Sequence, residues 1–381
     1  MQRSWPAIDL LAESRSIECA PPHPTLLDMP VTHTKRRVAR TDLWLHRIFE
    51  ERLAAEPDIE LTICPIAAPA AASLAVLEQT HVFHVSPAKD ELPKHMFVNA
   101  EFLRRCPQLL MVSSAGAGYD TIDAAACTAA GVALVNQAGG NAVSVAELTI
   151  GLMLDVSRRI SESDRRLRHE RGFTRESVMG FEVAGKTIGL IGMGHIGTRV
   201  AALAKAFGMT VLAHDPLLGD DEIARRGAQA VSRDQLLAGA DVVSVHCPRD
   251  NDTLGMLGEA AFARMKRGAI FISTARGGIH DEAALADALR SRHLGGAGLD
   301  VWEPEPPPLD HPLLQMPNVV ATYHTAGVTH EARRNVAAIA ALQIVGMLRG
   351  ERPPRLVNPA VWPAYAKRFE RILGKSVQDC A

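Results

Sequence analysis

The stretch Gly189–Val200, GLIGMGHIGTRV, constrains the fold more than any other part of the chain. Its glycines Gly192, Gly194 and Gly197 follow the apolar run KTIGLI and lead into HIGTRVAALAKAF, which has helical spacing. A strand that turns on glycines directly into a helix opens a βαβ unit. The missing side chains permit the tight turn and let backbone approach a ligand, and the helix N-terminus offers free N–H donors to an anion. The next apolar run, MTVLAHD, ends on Asp215, 23 positions after Gly192. A carboxylate there can accept hydrogen bonds from both ribose hydroxyls and repels a 2′-phosphate. Strand, glycines, helix and acid in that order point to a bound dinucleotide, NAD rather than NADP. Because Pro216 follows, a turn-capping Asp215 is the competing reading.

The same alternation runs along most of the chain. RRVART, IELTICP, HVFHVS, LLMVSSAGAGYD and GVALVNQ read as strands, with DLWLHRIFEERLAAE and AASLAVLEQ as helices between them. Asn141 to Ile160 predicts a helix of roughly five turns. Beyond the glycine loop, MTVLAHD, DVVSVHC, AIFISTA, LGGAGLD and VVATYH are short apolar runs separated by helix-length sequence, as parallel sheets covered on both faces require. The fold class is therefore α/β. The last helical run, EARRNVAAIAALQIVGMLRG, follows the second set of strands and is long enough to pack back on the first.

Composition narrows the function. With 381 residues, 47% of them apolar, the chain can form two domains. A net charge of −2 leaves no basic excess for a phosphate backbone, so nucleic acid is not an expected partner. Val336–Leu348 is too short to span a bilayer, and the N-terminus lacks a secretory pattern. Cys19, Cys64, Cys106, Cys127, Cys247 and Cys380 include no CxxC pair, which implies reduced thiols in a cytoplasm and no metal site. Residues 1–30, with PPHP at Pro21–Pro24, read as an extension without assigned function.

Further segments complete a pattern: SAGAGYDTID (Ser114–Asp123), NAVSVAEL, FISTARGGIHDEAAL (Phe271–Leu285), GLDVWEPEPP (Gly298–Pro307) and ATYHTAG (Ala321–Gly327). With GMGHIG, these resemble the D-isomer-specific 2-hydroxyacid dehydrogenase family from about Arg36 to Pro359. The resemblance implies a Rossmann NAD-binding domain, residues 138–328, inserted into a flavodoxin-like substrate domain, residues 31–137 and 329–365. It also implies a homodimer, with crossing helices joining the domains.

Matched motif to motif, the resemblance implies a catalytic Arg276, an acid Glu305 and a histidine His324. These are the types the chemistry needs. A guanidinium can hold a 2-oxo acid's carboxylate and polarise its carbonyl, while an imidazolium protonates the new alkoxide. Glu305 would orient the ring and favour its charged form. His195 and Ile196 would meet the pyrophosphate through backbone N–H groups, Pro248 would line the adenine side, and Thr253 shares that loop. Thr274 and Gly327 fall on the nicotinamide side. Asp300 would either accept the carboxamide NH₂ or cap the following loop. Ala115, Gly116 and Ala117 match the backbone nest for the substrate carboxylate.

Some positions depart from the family pattern. Pro93 and Lys94 stand where phosphoglycerate members carry an Arg-Ser pair, so the loop Glu91–Met96 has chemistry of its own. His280 stands where a small apolar residue is usual and reads as peripheral. The expected activity is NAD-dependent interconversion of a D-2-hydroxy acid and its 2-oxo acid, of phosphoglycerate, glyoxylate or hydroxypyruvate type. The alternatives are a dinucleotide-sensing protein of corepressor type and, disfavoured by Glu305 in place of Gln, formate dehydrogenase.

Overall fold

The computed structural model describes residues 35–378. The N-terminal extension and Cys19 and Cys380 lie outside them. The chain opens with β1 (Arg36–Thr41), α1 (Ile48–Ala54), β2 (Ile59–Cys64), α2 (Ala70–Leu77) and β3 (Val82–Val85). It continues through α3 (Ala100–Arg105), β4 (Met111–Ser114), α4 (Ala124–Ala129) and β5 (Ala133–Val135). These strands form a parallel sheet of order β2-β1-β3-β4-β5, the flavodoxin-like arrangement. Strands β3 and β4 are buried at every position, and the polar residues they carry there bond within the core, His84 Nδ1 lying 3.0 Å from Ser113 Oγ.

Two helices follow, α5 (Ala142–Arg158) and α6 (Ile160–His169). The second sheet begins with β6 (Thr187–Ile191), α7 (His195–Ala206), β7 (Thr210–His214), α8 (Asp220–Arg225), β8 (Gln229–Ala230), α9 (Arg233–Gly239) and β9 (Val242–Val245). It ends with α10 (Glu259–Arg264), β10 (Ile270–Ser273), α11 (Glu282–Arg290), β11 (Gly296–Leu299) and β12 (Val319–Ala321). Its order, β12-β11-β10-β9-β6-β7-β8, is that of a Rossmann sheet with one added edge strand. Sequence reversal falls between β6 and β9, beside the glycine loop.

The chain then returns. Helix α12 (His330–Leu348) lays Ala337, Ala340, Ile344 and Met347 into a core shared with Val38 and Val82 of the first sheet, and α13 (Trp362–Leu373) adds Tyr365 and Phe369. Where the chain leaves the first sheet, Gln343 of α12 donates to Gln137 Oε1 at 2.9 Å and to Asn136 O at 3.0 Å. Arg355 donates to Ala138 O at 2.8 Å. The outgoing and returning segments are thus bonded to each other beneath the cleft.

Several elements differ from the sequence expectation. The run from Asp42 becomes helical only at Ile48, while Asp42 accepts the Ile66 N–H at 2.8 Å and ties the end of β1 to the segment after β2. The helix expected to reach Ile160 breaks at Arg159, whose φ of 55° is left-handed, and α6 starts anew. Helices α3 and α4 were too short to show a period; the Asn99 and Asp123 side chains start them by accepting from Phe102 N and Ala126 N.

Candidate active site

The glycine loop divides its work among three positions. Gly192 has φ +98°, and a Cβ there would lie 2.8 Å from the His246 carbonyl carbon at the end of β9. A Cβ on Gly197 would strike the Gly192 carbonyl, so this glycine seats α7 against the loop. Gly194, the N-cap of α7, meets nothing within 4 Å in the Cβ direction. Two glycines are therefore needed by the fold, and the third leaves an open approach to the N–H groups that begin α7, His195 and Ile196 among them. That cradle fits a pyrophosphate.

Asp215 lies at the C-terminal end of β7. Its Oδ2 accepts the Met193 N–H at 2.8 Å and its Oδ1 the Leu217 N–H at 3.0 Å. Both sequence readings meet here: the carboxylate caps its own turn, and it is pinned to the glycine loop where a ribose edge would lie. On the far side, Thr253 Oγ1 donates to Pro248 O at 2.8 Å and closes the loop after β9. Thr274 is buried after β10, with its hydroxyl 3.0 Å from that of Thr149 on α5. At Gly327 a side chain would collide with the Asn141 amide. These residues fit a dinucleotide laid across the carboxyl edge of the second sheet.

Arg276, Glu305 and His324 follow β10, β11 and β12, so three adjacent strands deliver them to that same edge. His324 Nδ1 donates to Glu305 Oε2 at 2.9 Å, and Glu305 Oε1 accepts the Trp302 N–H at 2.9 Å. The carboxylate is held by backbone and fixes the proton on Nδ1, leaving Nε2 as the ring's working atom. His324 itself sits at φ 46°, a left-handed conformation uncommon for a residue with a side chain. Asp300 sustains it. Fully buried, its carboxylate accepts the Thr322 hydroxyl at 2.6 Å and the Thr325 and Ala326 N–H groups at 2.8 and 2.9 Å. Of the two readings open for Asp300, the structure displays the loop cap.

Arg276 reaches across to the first sheet. Its Nε donates to Asp120 Oδ2 at 3.2 Å and its Nη1 to Ala275 O at 2.7 Å. Asp120 Oδ1 accepts Arg249 Nη2 at 2.9 Å, and Arg249 Nη1 reaches Glu303 Oε2 at 2.6 Å. Burial works to raise the Asp120 carboxyl, but Arg276 and Arg249 together hold it below the usual carboxylate range. A second tie crosses beside His324: Tyr323 donates its hydroxyl to Asp90 Oδ2 at 2.6 Å. That hydrogen bond is the main reason the phenol is pushed up to about 12.

The carboxylate nest needs one correction. The Ala115 N–H already donates to Val85 O at 2.8 Å, whereas the Gly116 and Ala117 N–H groups have no backbone acceptor among the described residues. Lys94 begins a short 3₁₀ turn, Lys94–Met96, with its side chain exposed. His280 proves to be a core residue: 2% exposed, packed on Phe271, and lowered to about 4 chiefly by burial. The sequence patterns assigned no role to Asp120, which lies in SAGAGYDTID, or to Arg249, which directly follows Pro248. The available signal was a charged side chain beside residues already placed in the site.

A parallel sheet that cradles a dinucleotide, followed by a cleft with an arginine and a carboxylate-bound histidine, defines the class as a nucleotide-dependent dehydrogenase fold. The description "D-isomer specific 2-hydroxyacid dehydrogenase, NAD binding domain" matches residues 150–326. A glyoxylate reductase of Korarchaeum cryptofilum is 38% identical over 267 residues, 69% of this chain and 80% of that one. The chain belongs to the D-isomer-specific 2-hydroxyacid dehydrogenase family. A D-3-phosphoglycerate dehydrogenase of Archaeoglobus fulgidus is 43% identical over 268 residues, 70% of this chain but 51% of the relative, so the match spans about half that relative's length. Among solved structures, a glyoxylate reductase from Paecilomyes thermophila superposes with a TM-score of 0.76 at 28% identity, covering 85% of this chain and 99% of that one.

Proposed function

We propose that the protein is an NAD-dependent oxidoreductase that interconverts a small D-2-hydroxy acid and its 2-oxo acid. The observation that carries this reading is the His324–Glu305 pair at 2.9 Å on the sheet edge that also bears Arg276 and the glycine cradle. Gly192, Gly194, Gly197, His195, Ile196 and Asp215 would hold the adenine-side half of NAD, with Pro248 and Thr253 flanking it. Thr274, Asp300 and Gly327 would bound the nicotinamide end. When bound, the reduced cofactor supplies the hydride.

The chain's own residues do the rest. Arg276 keeps N–H groups on Nη1 and Nη2 beyond its bonds to Asp120 and Ala275, and these grip the substrate carboxylate and polarise the adjacent carbonyl. The Gly116 and Ala117 N–H groups complete the carboxylate site. His324 gives a proton from Nε2 to the carbonyl oxygen as it becomes an alkoxide, and takes it back in the oxidative direction. Glu305 orients the ring and offsets its positive charge in the protonated state.

The domain assignment follows: residues 31–137 and 329–365 for substrate, 138–328 for NAD. We assign a cytoplasmic homodimer, supported by four free cysteines among the described residues and by exposed Ile160, Leu167 and Met179 around α6. Among the described residues, no helix is long and apolar enough to cross a membrane. NADH oxidation with a panel of 2-oxo acids, including glyoxylate and hydroxypyruvate, tests the activity. No turnover with any of them overturns it, and sedimentation as a monomer overturns the dimer.

A further inference from the structure

Arg249 is unexplained by the reaction just described. It stands on the loop after β9, follows Pro248, and is largely buried, with a side-chain exposure of 20%. It makes three bonds, all within the catalytic neighbourhood. Its Nη2 donates to Asp120 at 2.9 Å, and its Nη1 donates to Glu303 at 2.6 Å and to Gly277 O at 3.2 Å. Gly277 follows Arg276, and Glu303 lies two residues before Glu305. The shorter of Asp120's two bonds goes to Arg249, at 2.9 Å against 3.2 Å for Arg276.

This geometry poses an electrostatic problem. Asp120 fixes Arg276 in place, yet an ionised carboxylate beside Arg276 offsets its charge and repels the carboxylate of an arriving acid. A second guanidinium on the same carboxylate removes the conflict. The Asp120–Arg249 pair sums to zero, so Arg276 keeps a net positive charge toward the cleft. Glu303 pulls Arg249 the other way, but its side chain is 55% exposed and solvent weakens that pull.

We propose that Arg249 is a positioning residue that takes up the negative charge of Asp120, so that Asp120 can orient Arg276 without weakening its hold on the substrate carboxylate. The proposal rests on the 2-oxo acid reading of the site. It assigns the specificity for an anionic substrate to a four-residue ion network rather than to Arg276 alone.

The test uses the whole protein and four forms: wild type, Arg249→Met, Arg249→Lys, and Arg249→Met combined with Asp120→Asn. In Arg249→Met the KM for the best 2-oxo acid rises about tenfold while kcat changes by less than about threefold. Arg249→Lys recovers part of the loss. Adding Asp120→Asn to Arg249→Met lowers KM again by at least about threefold, because the repelling charge is gone. A merely structural tie predicts the opposite sign, since the second substitution would loosen the cleft further. A double variant no better than Arg249→Met, or a rise confined to the KM for NADH, overturns the proposal. Binding of oxamate, an unreactive acid with the same carboxylate beside a carbonyl, read by tryptophan fluorescence, follows the same order of variants without turnover. If no acid is turned over but oxamate binding obeys that order, the activity fails and the network stands.

Discussion

His324 Nδ1 and Glu305 Oε2 lie 2.9 Å apart, and the other carboxylate oxygen is held by the Trp302 N–H. The ring therefore cannot rotate or change tautomer without giving up its bond to a backbone-anchored carboxylate. His324→Asn should lower kcat by about 10²- to 10⁴-fold, the usual worth of a positioned proton donor. Glu305→Gln should lower kcat while leaving the KM for NADH within about twofold, since Glu305 does not contact the glycine cradle. Steady-state kinetics on folded variants check both, and a larger change in KM for NADH than in kcat would contradict the assignment.

Arg276 donates from Nε to Asp120 and from Nη1 to Ala275 O while keeping further N–H groups for a ligand. An ammonium cannot fill those places at once. Arg276→Lys should lose at least about 100-fold in kcat/KM for the 2-oxo acid, in spite of retaining the charge. Near-normal kinetics in a protein with unchanged circular dichroism would move the substrate anchor elsewhere.

The glycines allow a paired comparison. Gly194 opens onto free space, whereas a Cβ on Gly197 meets the Gly192 carbonyl. Gly194→Ala should leave Tm within a few degrees and weaken NADH binding, because the methyl group intrudes on the ligand's approach. Gly197→Ala should lower both Tm and affinity, at a cost of about 1–3 kcal/mol for the displaced helix. Calorimetry of unfolding and NADH titration separate the two, and an equal Tm loss would show that Gly194 also serves the fold. For Asp215→Asn, the ratio of kcat/KM for NADH over NADPH should fall about tenfold or more, as one unit of repulsion toward a 2′-phosphate is removed.

Acid stability should be governed by buried neutral histidines. His84 and His246 are lowered to about 3 and His280 to about 4, each mainly by burial. A group whose folded value lies below its unfolded value of about 6.5 binds more protons when unfolded. Its contribution is present above pH 6.5 and is lost as pH falls toward the folded value. Each histidine then removes about 1.4 kcal/mol per pH unit across that window. Urea midpoints measured from pH 7.5 to 4.5 should fall steeply below pH 6. His280→Phe, which keeps the packing on Phe271 and removes two unpartnered ring nitrogens, should flatten the slope. An unchanged slope would place the acid sensitivity in other groups.

Much of this protein was written locally. Gly192, Gly194 and Gly197 between an apolar run and a helix, with Asp215 at the end of the next run, determined a βαβ nucleotide unit, because turn geometry and strand burial act within a few residues. Arg276, Glu305 and His324 came from the family resemblance of their short motifs, and each lies just after a strand. The α/β class followed from periodicity, which also showed a last helix long enough to pack back on the first sheet. Pairings between distant segments were not legible in that way. Asp120 and Arg249 are 129 positions apart, and Asp90 and Tyr323 are 233 apart. Which carboxylate meets which guanidinium depends on how the carboxyl edges of two sheets are brought together, and no local propensity encodes that. The same holds for Asp300, whose residue type suited a carboxamide as well as a cap: its bonds to Thr322, Thr325 and Ala326, 22 to 26 positions away, form only because β11 and β12 lie side by side. Local backbone preference set the elements, and long-range charge pairing and burial set the site.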